Sequence, residues 1–168
     1  MQAGGFDRPM SGQVEVDETF IGGKARFMHK DKRAAKITGT GGAGKEAVFG
    51  LLERHGPDGH SVVRVKHVTS RRRNVLSPEV RRNVAPGSEV FSDALNSYAD
   101  LKADFAHGVI DHAEKYVEGQ IHTNGIENFW SLLKRVIKGT YVSVEPFHLF
   151  RYLDEEAFRF NARHTDNA

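Results

Sequence analysis

Apolar and polar residues alternate along Val14-Glu-Val-Asp-Glu-Thr-Phe-Ile21, a β-branched stretch closed by Gly22-Gly23, and this pattern predicts a strand. Ala47–Leu52 and Val62–Val68 predict two more, joined by the turn-forming Gly56-Pro-Asp-Gly59, so the first three strands should form an antiparallel meander. Ser77-Pro78-Glu79 places a capping hydroxyl before a proline at the first helical position, predicting a helix from there to about Val84, where Pro86-Gly87 stops it. Glu89–Asp93 reads as a short strand, Ala94–Phe105 as a helix and Val109-Ile110 as another short strand. The strongest helical period lies in Gly125–Lys138, with Ile126, Phe129, Trp130, Leu133 and Ile137 on one face and Asn124 or Thr123 as cap. A last helix after Pro146 carries Phe150, Leu153, Ala157 and Phe160 on one stripe. This order of elements predicts an α/β fold, a mixed five-stranded sheet with helices on both faces.

The length of 168 residues fits one globular domain, read here as residues 13–168 behind a flexible N-terminal segment, 1–12. The absence of Cys excludes disulfides, thiol catalysis and every Cys-ligated zinc ribbon. No apolar run has the length of a signal peptide or membrane helix, so no membrane partner is expected, and a soluble cytoplasmic protein is.

A net charge of +2 is too small to point to nucleic acid, so the distribution of charge has to carry that reading. Between residues 24 and 45, Lys24, Arg26, Lys30, Lys32, Arg33, Lys36 and Lys45 face only Asp31, and the stretch ends in a glycine-rich run. This predicts a basic, flexible loop. Gly39-Thr-Gly-Gly-Ala-Gly-Lys45 matches the start of a phosphate-binding loop, but Glu46 stands where the magnesium-binding hydroxyl belongs and a strand pattern follows. No nucleotide site is inferred.

Asp17 and Asp93 are attached to apolar strands, where a bare carboxylate is costly to bury, so something must compensate them. Glu127 lies near the start of the best helix, with Ser131 and Lys134 on the same face, which is expected to oppose the apolar one. Three hard oxygen ligands of this kind suit a pair of magnesium ions acting on a phosphodiester. One polar stripe of an amphipathic helix explains Glu127 and Lys134 equally well, and spacing alone leaves the two readings even. The nine His show no zinc signature, so packing or capping is the expected role of His112 and His122. Trp130, on the apolar face, reads as core.

Val14–Lys24, Asn83–Ser88 leading into Phe91-Ser-Asp93, His122–Arg135 and Arg151–Asn161 resemble the insertion-sequence transposases of the ISXO-like group, a likeness running from about Gln13 to Arg163. The resemblance implies an RNase H-like catalytic domain of the DDE type. Asp17, Asp93 and Glu127 would be its ligands for Mg2+ (or Mn2+), with Lys134 as the basic residue seven positions later and Asn124 as a second candidate for the third place. The implied activity is hydrolysis of a phosphodiester at the element's end followed by strand transfer into target DNA. A nuclease without strand transfer and a catalytically dead DNA-binding remnant are the competing readings. DNA, both element ends and target, is the implied partner, with assembly on it as a homo-oligomer and residence at the nucleoid when bound. Lys24, Lys30, Arg33, Lys36, Arg71, Arg72, Arg73, Lys134, Arg135 and Lys138 would contact phosphates. Two departures stand out. Asp111-His112-Ala113 occupies a place where relatives carry Asn-His-Ser, and the zinc ribbon that precedes the domain in relatives is missing from this sequence, so DNA binding is expected to be weak and sequence-tolerant.

Overall fold

The computed structural model describes residues 8–22, 31, 45–56, 58–93, 98–110, 122–140 and 146–164, of which 93, 110, 139, 140, 146 and 147 are described by backbone alone. Five strands, β1 (Gln13–Ile21), β2 (Glu46–Glu53), β3 (Val62–Val68), β4 (Glu89–Asp93) and β5 (Ala106–Ile110), form one sheet in the order β3-β2-β1-β4-β5. β1, β2 and β3 are the antiparallel meander, whereas β4 runs parallel to β1 and β5 parallel to β4. This is the RNase H-like mixed sheet.

The strand period of two sorts the central side chains onto two faces. Val14, Val16 and Val90 pack on one face with Leu76 and Val80 of helix α1 (Arg73–Asn83). Val48, Leu52 and Ile21 pack on the other with Ile126, Phe129, Trp130 and Leu133 of α2 (Asn124–Thr140), and with Leu149, Leu153 and Ala157 of α3 (Pro146–Ala162). Helices therefore cover both faces. None of the described helices is long and apolar enough to cross a membrane.

Three local readings change. Helix α1 begins a full turn before Pro78, with Pro78 inside it and Ser77 buried. A mid-helix proline costs about 3 kcal/mol, but burying Leu76 and Val80 contributes roughly 1.5–3 kcal/mol each, so packing wins. The Ser77 hydroxyl is spent on Asp100 Oδ1 at 2.7 Å instead of on a cap. Within the stretch Ala94–Phe105, residues 94–97 lie outside the described residues, and the remainder holds a 3-10 turn at Leu101–Ala103. On α3, Leu149 takes the buried place expected of Phe150, which is 48% exposed.

The N-terminal segment contributes more than a flexible lead from residue 8 onward. Met10 is buried, its N–H donates to the Asn83 carbonyl at 2.7 Å and its carbonyl accepts from Ala85 at 2.8 Å. Arg8 pairs with Glu53, which also accepts the Ser11 N–H at 2.8 Å. Burial by itself raises the Glu53 pKa, but Arg8 and Ser11 together hold it below the ordinary glutamate value. The pairing thus stabilises the fold above that ordinary value, and its contribution is lost as pH falls through the lowered pKa. Glu53→Gln is expected to lower the denaturation midpoint at neutral pH and to converge on the wild type only once the pH has fallen through the lowered Glu53 pKa. Urea melts of both proteins across pH measure this.

Gly50, opposite Asp17 on β2, is a point where α2 comes close to the sheet. A Cβ there would stand 2.5 Å from the Trp130 ring and 3.0 Å from Ile126 Cδ1. Gly50→Ala is therefore expected to cost about 1–3 kcal/mol through overpacking, read as a lower urea midpoint at unchanged m-value.

Candidate active site

Val16 pairs with Ser92 across the parallel β1 and β4, so Asp17 and Asp93, the next residue on each strand, occupy neighbouring positions about 4.8 Å apart in the pairing direction. The preceding pair in the same phase is Glu15 and Phe91. Glu15 faces α2, accepting the Ile126 N–H, and the Arg54 guanidinium bonded to Glu15 lies 4.6 Å from the Phe91 ring centroid. Asp17 faces α2 as well, accepting from Trp130 Nε1 at 2.9 Å. β1 and β4 are interior strands, so these positions lie over the middle of the sheet and at the carboxyl end of β4. The side chain of Asp93 lies outside the described residues.

Glu127 reaches this region because of where α2 sits and how it is turned. Ile126 stands over Glu15 and Trp130 over Asp17, so the helix runs in the direction of β1, with Glu127 between those two levels. Phe129 packs edge-on against Phe160 of α3, toward the β3 side. At about 100° per residue, Glu127 and Lys134 lie roughly 160° and 140° around the helix from Phe129, toward β4. They are also only about 80–100° from Ile126, so their face flanks the apolar one instead of opposing it. Glu127 thereby stands at the rim of the helix–sheet contact, on the side of Asp93. The Thr123 hydroxyl, a cap by its position, donates instead to Glu127 Oε1 at 2.8 Å.

Lys134, Arg135 and Lys138 are exposed on α2, with Lys134 nearer the carboxyl end of β1 than Glu127. Arg71, Arg72 and Arg73 are exposed too, but they lead into α1 on the opposite face of the sheet. The Arg71 guanidinium lies 4.7 Å from the Phe20 ring centroid and Arg73 lies 4.0 Å from Asp100. These arginines do not share the face of Glu127. Lys24, Lys30, Arg33, Lys36 and His112 lie outside the described residues, as does most of the glycine-rich run. Glu46 after that run opens a strand, which leaves the phosphate-loop pattern without its helix. His122 accepts from Arg54 Nη2 through Nδ1 at 2.9 Å, a packing role, and Asn124 is the exposed first residue of α2.

Among the described side chains no three His, Asp or Glu are grouped as a metal set. The candidate ligands are carboxylates on two strands and a helix, and a carboxylate has about four lone-pair positions, of which the indole takes one at Asp17. That chemistry fits a hard divalent cation such as Mg2+. Behind the site, Ser92 Oγ lies 2.8 Å from His107 Nε2, and burial, with Lys102 nearby, holds that imidazole below its ordinary pKa.

Sequence reasoning missed Glu15, Arg54 and Gly50. Glu15 is 1% exposed and reads from its sequence as a solvated strand residue, because the alternation gives no sign that α2 covers that face. Its spacing of two from Asp17 is the signal that could have found it.

No curated protein matches the chain. Among solved structures, a chain in the cryo-electron microscopy structure of the simian T-cell lymphotropic virus intasome in complex with PP2A regulatory subunit B56 gamma is similar at 10% identity and a TM-score of 0.48. The similarity covers 90% of the present chain and 48% of that one, so the present chain spans about half its length. The ISXO2-like transposase domain matches residues 9–161, which takes in every strand and helix described above but for Ala162 at the end of α3, Asp17, Asp93 and Glu127 included, and the chain belongs to that transposase family.

Proposed function

We propose that this domain cuts and joins DNA strands by divalent-metal chemistry at Asp17, Asp93 and Glu127. The observation that carries the reading is the register of β1 and β4, which makes Asp17 and Asp93 lateral neighbours beneath the flank of α2 that bears Glu127. Two carboxylates one strand apart repel each other, and a bound divalent cation would offset that repulsion. Mg2+ or Mn2+, when bound, supplies charge neutralisation at phosphorus and a more acidic water.

The chain's own part is positioning. Asp17, Asp93 and Glu127 would hold the ions from two strands and a helix, and Trp130 fixes the Asp17 carboxylate. Lys134, about 10.5 Å along α2 from Glu127, reaches a phosphate roughly three nucleotides from the cut. Arg135 and Lys138 extend the same cationic track. Water first displaces the 3′ oxygen of the scissile phosphodiester, leaving a 3′ hydroxyl at the element's end. That hydroxyl then displaces an oxygen of a target phosphodiester, so one ester replaces another and no covalent protein intermediate forms. An element has two ends to process, and copies of the chain assemble on them as a homo-oligomer.

The test is incubation of the protein with a supercoiled plasmid carrying the gene and its flanking DNA, at several Mg2+ and Mn2+ concentrations. Metal-dependent nicks ending in 3′ hydroxyls, together with joined products, are expected. Nicks without joining give the nuclease reading, and DNA binding without any metal response gives the inactive one.

A further inference from the structure

We infer that Glu15 is a positioning residue for Glu127: its carboxylate sets the height of α2 along β1 and thereby the place of the third metal ligand. The inference rests on the metal reading above. Glu15 Oε2 accepts the Ile126 N–H at 2.8 Å, one of the amides at the helix start that has no carbonyl within the helix to bond. Glu15 Oε1 accepts from Arg54 Nε at 2.7 Å, so the two oxygens are divided between the helix and a buried guanidinium. Arg54 is locked in turn by His122 and by the Phe91 ring.

Two residues later on the same strand face, Asp17 takes the Trp130 N–H. Two strand residues rise about 6.6 Å and four helical residues about 6 Å, so two carboxylates on β1 grip two points one turn apart on α2 in nearly matched spacing. Glu127 lies between those points and cannot slide along β1 without breaking one of them. Gly125 lets the helix start come this close, since a Cβ there would stand 2.9 Å from Glu15 Oε2 and 3.1 Å from Leu52 Cδ2. Of the two grips, the one at Glu15 involves no atom of the three proposed ligands. Glu15 acts through the backbone of the residue before Glu127.

Two double variants separate this role from general stability. Glu15→Met with Arg54→Met removes the ion pair and the acceptor for the Ile126 N–H, whereas Glu15→Gln with Arg54→Met removes the ion pair and keeps the acceptor. Mn2+ binding followed by electron paramagnetic resonance, on protein shown to be folded by circular dichroism, gives the affinity, and plasmid nicking gives activity. The first variant is expected to weaken Mn2+ binding by about 10–100-fold, and the second to stay within about threefold of the wild type. Should the first fail to fold, Gly125→Ala, which favours the helix but pushes its start off Glu15, is expected to weaken Mn2+ binding in the same way. Wild-type affinity in the folded Met–Met or Gly125→Ala protein overturns the inference while the metal reading stands, and so does a Gln–Met protein as weak as the Met–Met one. A wild-type chain whose Mn2+ binding is absent, or survives Asp17→Asn, overturns both.

Discussion

Asp93→Asn is expected to reduce metal-dependent nicking of plasmid DNA by at least about 10²–10³-fold, the scale of losing one preorganised charge-stabilising group, while the circular dichroism spectrum and urea midpoint stay close to wild type. The amide keeps the shape of the side chain and removes the negative charge, so the cation's field is what changes. Asp93 is the last residue of β4, and Ser92, fixed between Val16 on one side and Val109 on the other, anchors the strand without it. The loss should therefore appear in activity and in Mn2+ affinity and not in folding. Undiminished nicking would show that a different residue holds the ion.

The largest stability effect is expected at Arg54. Its side chain is 8% exposed and that of Glu15 is 1% exposed, so Arg54→Met leaves a carboxylate in the interior without its guanidinium, a change that costs about 3–5 kcal/mol. The Glu15→Gln and Arg54→Met double variant removes both charges and keeps an acceptor for α2, and most of the lost stability should return. Two charges replaced together by groups of similar volume are often neutral. Urea denaturation of the wild type, both single variants and the double variant closes the cycle. Additive losses would mean that the two charges do not compensate each other.

The family and most of the fold were legible before any coordinates. Alternation located β1, β2 and β3, and the i, i+3, i+4 spacing located α2, because those elements bury one face and the period of burial is written in the residue order. The resemblance of the Asp17, Asp93 and Glu127 segments to a transposase group was specific enough to name the family that the chain belongs to. The same local logic misplaced the start of α1, and at the start of α2 it placed Thr123 at the cap without the partner of its hydroxyl. Ser77 and Thr123 are good capping residues, but tertiary partners, Asp100 and Glu127, took their hydroxyls.

What only the tertiary structure decided is which residues meet. The parallel register of β1 and β4 makes Asp17 and Asp93 neighbours across 76 positions of chain, and nothing local encodes that pairing. Glu15 looks like one more polar residue of an alternating strand until α2 lies on it. Then it becomes a buried acceptor that needs Arg54, a residue beyond the predicted end of β2. Periodicity records which side of an element is covered by something. It does not record by what, because hydrophobic burial is indifferent to the identity of the partner, and a buried carboxylate is tolerated only where a particular donor arrives from elsewhere in the fold.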